Sequence, residues 1–340
     1  MARSSAPPVS AATVRGLLSQ IDAIADRGGN GVLELPGKQT LDVTNLGKVF
    51  WPDLKLTKGD LFRHYIRVSP YLLPALADRP LVMKRYPNGI QAKPFYQHRA
   101  PDTLPREVRV AEVETETERR AHIIGGELLT LLYTAQLASI SQDPWFSRAG
   151  SDDEMDHAAI DLDPPDDLPF ARVLDLARFV RDELDTMKAV GVPKTSGSRG
   201  LHIYVPMPPQ TPYEAGLIFC QIVATRVAQK HPALATIERS LAARGRRIYV
   251  DYMQNMRGKT LASVYSPRAT PFAGVSTPLT WDEVEAGVSA RDFTIPTVAA
   301  RLADVGDLWR ELRKAKGVDL QMTGAAPAAP RAPRSRRRAK

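Results

Sequence analysis

Cysteine is almost absent: the 340 residues hold one, Cys220, in the apolar stretch Leu217-Ile218-Phe219-Cys220-Gln221-Ile222-Val223. A single thiol excludes an internal disulfide framework, reads as a core residue and fits a reducing cytoplasm. Long apolar runs are missing too. None reaches the roughly 18 residues of a membrane span, and the short, polar, alanine-rich start does not read as a signal peptide. A cytoplasmic protein with no membrane partner is expected. Acids are missing from the last stretch, Gly324 to Lys340, which carries Arg331, Arg334, Arg336, Arg337, Arg338 and Lys340. The formal net charge is +8, and without that stretch only +2. Overall charge therefore gives weak support for a nucleic-acid partner, and local placement has to supply it. The Ala/Pro/Arg tail is expected to be disordered, serving either as a non-specific phosphate contact or as a solubilising end.

There is also no internal repeat and no long linker within the body. Ala11 to Ala25 reads as a helix closed by Arg27-Gly28-Gly29. Thr57-Lys58-Gly59-Asp60 reads as a helix start, with Leu61, Tyr65 and Val68 at helical spacing. Leu81 to Tyr86 reads as a strand ended by Pro87-Asn88-Gly89, and Gly126 to Ala138 as an apolar helix. Ala158 to Asp163 is a strand stopped by Pro164-Pro165. A helix from Phe170 to Val190 carries Val173, Leu176, Val180, Leu184 and Met187 on one face. Strands are expected at Leu201 to Val205 and Arg247 to Tyr252, a helix at Glu214 to Gln229, and helices with loops from Thr280 to Leu320. The motif spacing is closer to α+β than to a doubly wound sheet.

Three polar segments stand out. In Ile160-Asp161-Leu162-Asp163-Pro164, the two acids share one strand face, about 6.6–7 Å apart at the backbone, while Ile160 and Leu162 face the core. Converging carboxylates repel unless a cation sits between them, and Mg²⁺ or Mn²⁺ suits oxygen ligands. Asp251, in Val250-Asp251-Tyr252-Met253-Gln254-Asn255, ends another strand. Three such acids could hold two metals about 3.5–4 Å apart, one activating a hydroxyl and one stabilising a leaving oxygen. Alone, an Asp-x-Asp-Pro run more often marks an exposed strand end and turn. Asp166 and Asp167 read as merely solvated. In Thr195-Ser196-Gly197-Ser198-Arg199-Gly200-Leu201-His202, glycines permit close backbone approach to an anion, amides and the Ser196 hydroxyl can cradle phosphate, and Arg199 can bind it bidentately. His202 opens the next strand and can donate to the same oxygens, although a lone histidine there is more often structural. The loop is not a Walker motif.

Taken together these residues resemble the archaeo-eukaryotic primase superfamily, and more narrowly the polymerase domain of bacterial DNA ligase D. The resemblance spans roughly Leu41 to Leu312. Besides the segments above it includes Val43-Thr44-Asn45-Leu46-Gly47-Lys48-Val49-Phe50-Trp51-Pro52, Lys84-Arg85-Tyr86-Pro87-Asn88-Gly89 and Pro94-Phe95-Tyr96. It implies an α+β, primase-like core of mixed and antiparallel sheets flanked by helices. The expected division is an N-terminal arm and helix (1–38), a primase-polymerase catalytic domain (39–320) and the disordered basic tail (321–340). The implied activity is template-dependent nucleotidyl transfer that extends 3′ ends and fills gaps in non-homologous end joining, with ribonucleotides favoured and two Mn²⁺ (or Mg²⁺) ions. A de novo primase, a translesion polymerase, or a non-catalytic module binding 5′-phosphorylated DNA ends are alternatives.

The resemblance assigns Asp161, Asp163 and Asp251 to catalysis and metal binding. Lys84, Ser196, Arg199, His202, Gln254 and, more weakly, Arg268 fall to the incoming NTP or dNTP. Asn45, Lys48 and Lys58 fall to a DNA 5′-phosphate, and Phe95 and Tyr96 to stacking on bases, which is worth about 1–3 kcal/mol per base. Core packing is the other reading of these aromatics, and adjacent strand residues cannot both face the DNA. Family members often have Lys where Arg199 stands. Many carry His-Pro-Trp where this chain has Asp143-Pro144-Trp145, so Asp143 puts nucleotide affinity and metal preference in question. No segment resembles a ligase or nuclease module, which makes Ku and a separate DNA ligase the expected partners and the nucleoid the expected location.

Overall fold

The computed structural model describes residues 9–115 and 118–321. The arginine-rich tail, expected to be disordered, lies outside the described residues. Helix α1 (Ala11–Asp26) is capped by the Ser10 hydroxyl. The hairpin of β1 (Gly31–Leu35) and β2 (Gln39–Val43) follows, then β3 (Val49–Trp51) and β4 (Leu56–Thr57). Helix α2 (Lys58–Leu76) starts where Thr57 and Asp60 cap each other, each side chain bonding the other's backbone N–H. Leu17, Ile21 and Ile24 of α1 and Leu61, Phe62 and Tyr65 of α2 enter the same core.

Next come β5 (Leu81–Arg85), β6 (Phe95–Gln97), the hairpin β7 (Val110–Glu114) and β8 (Arg119–Ile123), α3 (Leu128–Gln136) and β9 (Asp143–Pro144). Strands β6, β5 and β9 pair antiparallel in that order. The larger sheet is built from β10 (Glu154–Asp163), α4 (Phe170–Thr186), β11 (Val192–Thr195), β12 (Leu201–Pro212), α5 (Tyr213–Lys230), β13 (Ala235–Thr236), α6 (Leu241–Arg244) and β14 (Ile248–Asp251). Its five strands run β11-β12-β10-β14-β13, antiparallel except for the last pair. Ile160, Leu162, Leu201, Ile203 and Val250 are fully buried on the face that α4 and α5 cover. Helices α7 (Trp281–Ala286), α8 (Ile295–Val305) and α9 (Arg310–Lys314) complete the chain. The α+β class and the mixed, mainly antiparallel sheets agree with the expectation. No helix among the described residues is long and apolar enough to cross a membrane.

Three boundaries differ from the pattern by more than two residues, the first being that β10 starts at Glu154 and not at Ala158. Helix α4 ends at Thr186 because Lys188 takes a left-handed conformation, φ 53°, that turns the chain out of the helix. Strand β12 continues through Pro206, Pro208 and Pro209 to Pro212. Its partner β11 stops opposite Tyr204, so the prolines fall where that edge lacks a strand partner.

Strand β14 pairs β10 only from Asp161 to Asp163, which would leave the backbone of Ala159 bare on that side. The fully buried Asn255 fills the gap. Its Oδ1 accepts from the Ala159 N–H at 2.8 Å, and its Nδ2 donates to the Ala159 carbonyl at 2.7 Å and the Tyr252 carbonyl at 2.8 Å. One amide side chain thus extends the sheet and ties the Met253–Asn255 turn to β10. Asn255→Ala should cost about 2–3 kcal/mol, because it strands two buried backbone groups. Urea unfolding of parent and variant checks this, and a change below about 0.5 kcal/mol would refute the role.

Candidate active site

Antiparallel register sets the site. Lys194 on β11 lies opposite His202 on β12, His202 opposite Asp161 on β10, and Asp161 opposite Asp251 on β14. Directly opposed residues share a face, with Cα atoms about 4.5–5.5 Å apart. A cation, an imidazole and two carboxylates therefore form one row across four strands, on the face away from α4 and α5. Asp163, two residues on, shares that face at the strand end. The structure brings the three expected acids together, and each already has a partner. His202 Nε2 stands 3.4 Å from Asp161 Oδ1, and Arg244 Nη1 stands 3.2 Å from Asp163 Oδ2. Asp251 accepts from the Met253 N–H at 2.8 Å and from Gln254 Nε2 at 2.9 Å.

The glycine loop is closely packed. Gly197 sits at φ +74°, and a Cβ there would lie 2.7 Å from Arg268 Cγ. A Cβ on Gly200 would lie 2.3 Å from the Leu162 carbonyl oxygen, so the loop can lie against β10 only with glycine there. Two of the amides expected to face phosphate turn inward: Ser198 N–H and Gly200 N–H both donate to Ser196 Oγ at 3.1 Å. Ser196 keeps only its hydroxyl proton for an outside acceptor. Arg268 Nη1 donates to the Ser196 carbonyl at 3.0 Å and so braces the loop from behind. Arg199 is exposed and pairs with Asp166 at 2.7 Å, while Arg246 pairs with Asp167 at 2.6 Å. Those two acids are exposed, as expected, and form surface pairs with the loop and with the chain after α6. His202 faces the carboxylates from a buried position, not the open loop mouth.

The smaller sheet supplies the opposite wall. Asp143 lies opposite Val82 on β5, two residues before Lys84. Burial raises the Asp143 carboxyl above the usual range, while Arg268, the Ser141 hydroxyl, Lys84 and Lys194 act to lower it. The residue that departs from the family pattern therefore feels the same cations as the site. Lys84 Nζ lies 5.2 Å from the centre of the Tyr96 ring, which projects from the facing position on β6. Phe95 and Tyr96 are both exposed, so core packing is ruled out for them, and their adjacency on β6 points them to opposite faces.

A second basic cluster lies at the start of α2. Lys58 Nζ donates to the Thr44 carbonyl at 2.9 Å and Lys48 Nζ to Asn88 Oδ1 at 2.9 Å. Asn45, at φ 58°, turns the chain between them, with its backbone N–H on Asn30 Oδ1. Lys58 is buried, and burial together with Lys48 pushes its ammonium down to about 8.

Sequence reasoning missed Lys194 and Arg244. Lys194 adjoins the loop segment by one residue, and the hairpin symmetry about Ser198 that pairs it with His202 was its available signal. Arg244 belongs to none of the motifs singled out in the sequence. It lies over the Tyr249 ring at 3.9 Å and, with Arg239, Lys259 and Gln254, lines a cavity of about 380 Å³ that ends at Asp251.

Among the described residues, no three acidic, histidine or cysteine side chains converge on a ready metal cage. The donor chemistry nevertheless fits a cation. Asp161 is pushed up to about 8 by burial, then by Asp251 and Asp163, against Lys194 and Arg268. A divalent ion would favour the charged form of a carboxyl raised in this way by burial and by acidic neighbours.

A family model described as LigD, primase-polymerase domain, matches residues 57–309. The bifunctional non-homologous end joining protein LigD of Bacillus subtilis is 32% identical over 272 residues, covering 80% of this chain and 44% of that protein. The multifunctional non-homologous end joining DNA repair protein LigD of Mycobacterium tuberculosis is 30% identical over 283 residues, covering 81% and 37%. The chain thus spans less than half the length of these relatives. The polymerase domain of Mycobacterium tuberculosis ligase D in complex with DNA superposes with a TM-score of 0.73 at 30% identity, covering 80% of this chain and 98% of that one.

With its folded value raised, Asp161 binds a proton that the unfolded chain has released. Metal-free stability should therefore fall as pH rises from about 4 through about 8. In chelator at pH 8, Asp161→Asn should unfold at a higher temperature than the parent, with the gap closing toward pH 4. Divalent metal should raise the parent's Tm and move the variant's less. Identical melting of the two proteins at every pH, with and without metal, would count against the site.

Proposed function

The chain belongs to the LigD primase-polymerase family of nucleotidyltransferases, and from that premise we propose that it extends 3′ ends and fills gaps during end joining of broken DNA. The observation that carries this reading is the cross-strand row that sets Asp161 against Asp251, with Asp163 beside them. A primer 3′-hydroxyl attacks the α-phosphorus of the incoming nucleotide and pyrophosphate leaves. Asp161, Asp163 and Asp251 would hold two Mn²⁺ or Mg²⁺ ions, which supply hydroxyl activation and leaving-oxygen stabilisation. The protein's own contribution is positioning and charge. Lys84, Arg199 and Arg268 neutralise the triphosphate, while the Ser196 hydroxyl, His202 and Gln254 orient its oxygens. Tyr96 or Phe95 stacks on a base. Ribonucleotides are the favoured substrate, Ku and a separate ligase the partners, and 39–320 the catalytic unit.

Asn45, Lys48 and Lys58 take the downstream 5′-phosphate. Support comes from Lys58, a buried ammonium whose charge is opposed by another lysine. A bound phosphate would offset that repulsion. Charged below about 8 and neutral above it, Lys58 should bind phosphate progressively more weakly as pH rises through that value.

On a gapped duplex with Mn²⁺, Asp161→Ala with Asp163→Ala should lower nucleotide addition by at least about a thousandfold while end binding persists. Continued addition by that variant would sink the mechanism, and lost binding would point to misfolding, checked by thermal unfolding. For the end pocket, the preference of the parent for 5′-phosphorylated over unphosphorylated strands should shrink between pH 7.5 and 9. Lys48→Ala with Lys58→Ala should have none at any pH. A pH-independent preference that survives both substitutions refutes the assignment.

A further inference from the structure

Strand β6 forms the outer edge of the smaller sheet, and its two faces are furnished differently. On one face the guanidinium carbon of Arg85 lies 5.1 Å from the centre of the Phe95 ring, and Arg85 Nη1 donates to Gln97 Oε1 at 2.8 Å. Arg85 thus covers part of that face. On the other, Tyr96 is 62% exposed and lies beside Lys84, and His98, which follows it on that side, is exposed too. The Tyr96 and His98 rings have their centres 6.3 Å apart, with planes 27° from parallel. Alternate strand residues are spaced by about 6.4–6.8 Å, so the backbone sets this separation. Rings in direct face contact would stand at roughly 3.4 Å, the repeat of stacked bases. The gap is about two stacking distances, the room one flat ring needs between two others.

The backbone holds that spacing. Gln97 Nε2 donates to the Arg99 carbonyl at 3.2 Å, and the Ala100 N–H to the Ala121 carbonyl on β8 at 2.7 Å. His98 is tied down on both sides, so little ordering is left for a ligand to impose. The surrounding charge suits a polyanion. From Pro80 to Pro101 the chain has no acid and carries Lys84, Arg85, Lys93 and Arg99.

We propose that Tyr96 and His98 form a clamp for one unpaired base of single-stranded DNA, on the template strand beside a gap or within an overhang. The inference rests on the end-joining reading above and deepens it. A base inside a duplex already has a neighbour on each face and cannot pass between two rings. An unpaired base can, and every base offers a π face, so the clamp tells strand state rather than sequence. Tyr96 alone could stack on the end of a duplex. His98 supplies the second wall, which makes the site selective for a single strand.

The test is binding of the full chain, without nucleotide, to a duplex bearing a single-stranded overhang, followed by fluorescence anisotropy. Each overhang nucleotide is replaced in turn by an abasic spacer, which deletes the base and keeps the phosphate. In the parent, one position should cost at least about fivefold in Kd and the others less than about twofold. His98→Ala should weaken binding to the intact overhang by a similar factor, lose the penalty at that position, and bind a blunt duplex as the parent does. His98→Phe, which keeps a flat ring, should behave as the parent. The absence of any sensitive position in the parent overturns the proposal, as does a penalty that survives in His98→Ala. Equal weakening by His98→Ala on blunt and overhanging DNA overturns it as well, because that marks a general contact with the duplex. Since His98 is exposed, the variants should fold, and their thermal unfolding checks this. The readout needs no catalysis. A parent that binds DNA but adds no nucleotide rejects the nucleotidyl-transfer reading, while the abasic scan still decides the clamp.

Discussion

The pairing of Asp161 with a different strand on each side decides which groups meet across the larger sheet. On one side it meets His202, on the other Asp251. Neither neighbour is close in sequence, and neither would face Asp161 if β10 slipped by one residue, because such a slip sends every side chain to the other sheet face. Register is held by the apolar alternates. Ile160 and Leu162 are buried against the helices, so the hydrophobic effect on one face fixes electrostatics on the other. Stability and chemistry are thus set by the same alternation, read from its two sides.

The charged face is assembled against its own repulsion, and the surrounding structure shows where that is absorbed. Asn255 continues the sheet where β14 has ended, leaving Asp251 at a strand terminus beside a turn that also presents Gln254. Gly197 and Gly200 let the loop lie flat on neighbouring backbone, and Arg268 braces it. Beneath His202, Tyr204 packs among Phe146, His157 and Trp309. Little around the row can give way, which suits a site that works by holding groups still rather than by rearranging them.

Much of this was legible in the sequence because it follows local rules. The Asp161–Asp163 strand announces itself through alternation and a Pro-Pro stop, and α2 through the Thr57–Asp60 cap. The primase-like motifs named the class of protein in their order along the chain, and the comparisons agree. What stayed hidden depends on partners distant in sequence. The left-handed turn at Lys188 carries no glycine to mark it. The prolines of β12 read as a stop, and only the shortness of β11 makes them admissible. Lys194 stands outside the motifs, and its partners Ala262 and Ser276 lie far along the chain, as do the surface pairings of the solvated Asp167 with Arg246 and Asp166 with Arg199. Carboxylates were easier to foresee than the cations that balance them, because the acids share strands and motifs whereas the cations come from separate elements.

The tight hairpin about Ser198 has an engineering consequence. Lys194 and His202 are equidistant from its tip, so an inserted or deleted residue on one arm would shift one strand against the other and leave both end residues looking toward the wrong layer. The loop's length, more than its composition, is therefore the quantity to preserve in any redesign. Grafts and tags belong elsewhere: the β1–β2 connection, residues 36–38, lies on a separate two-stranded sheet, where a change in chain length would leave the larger sheet's register untouched.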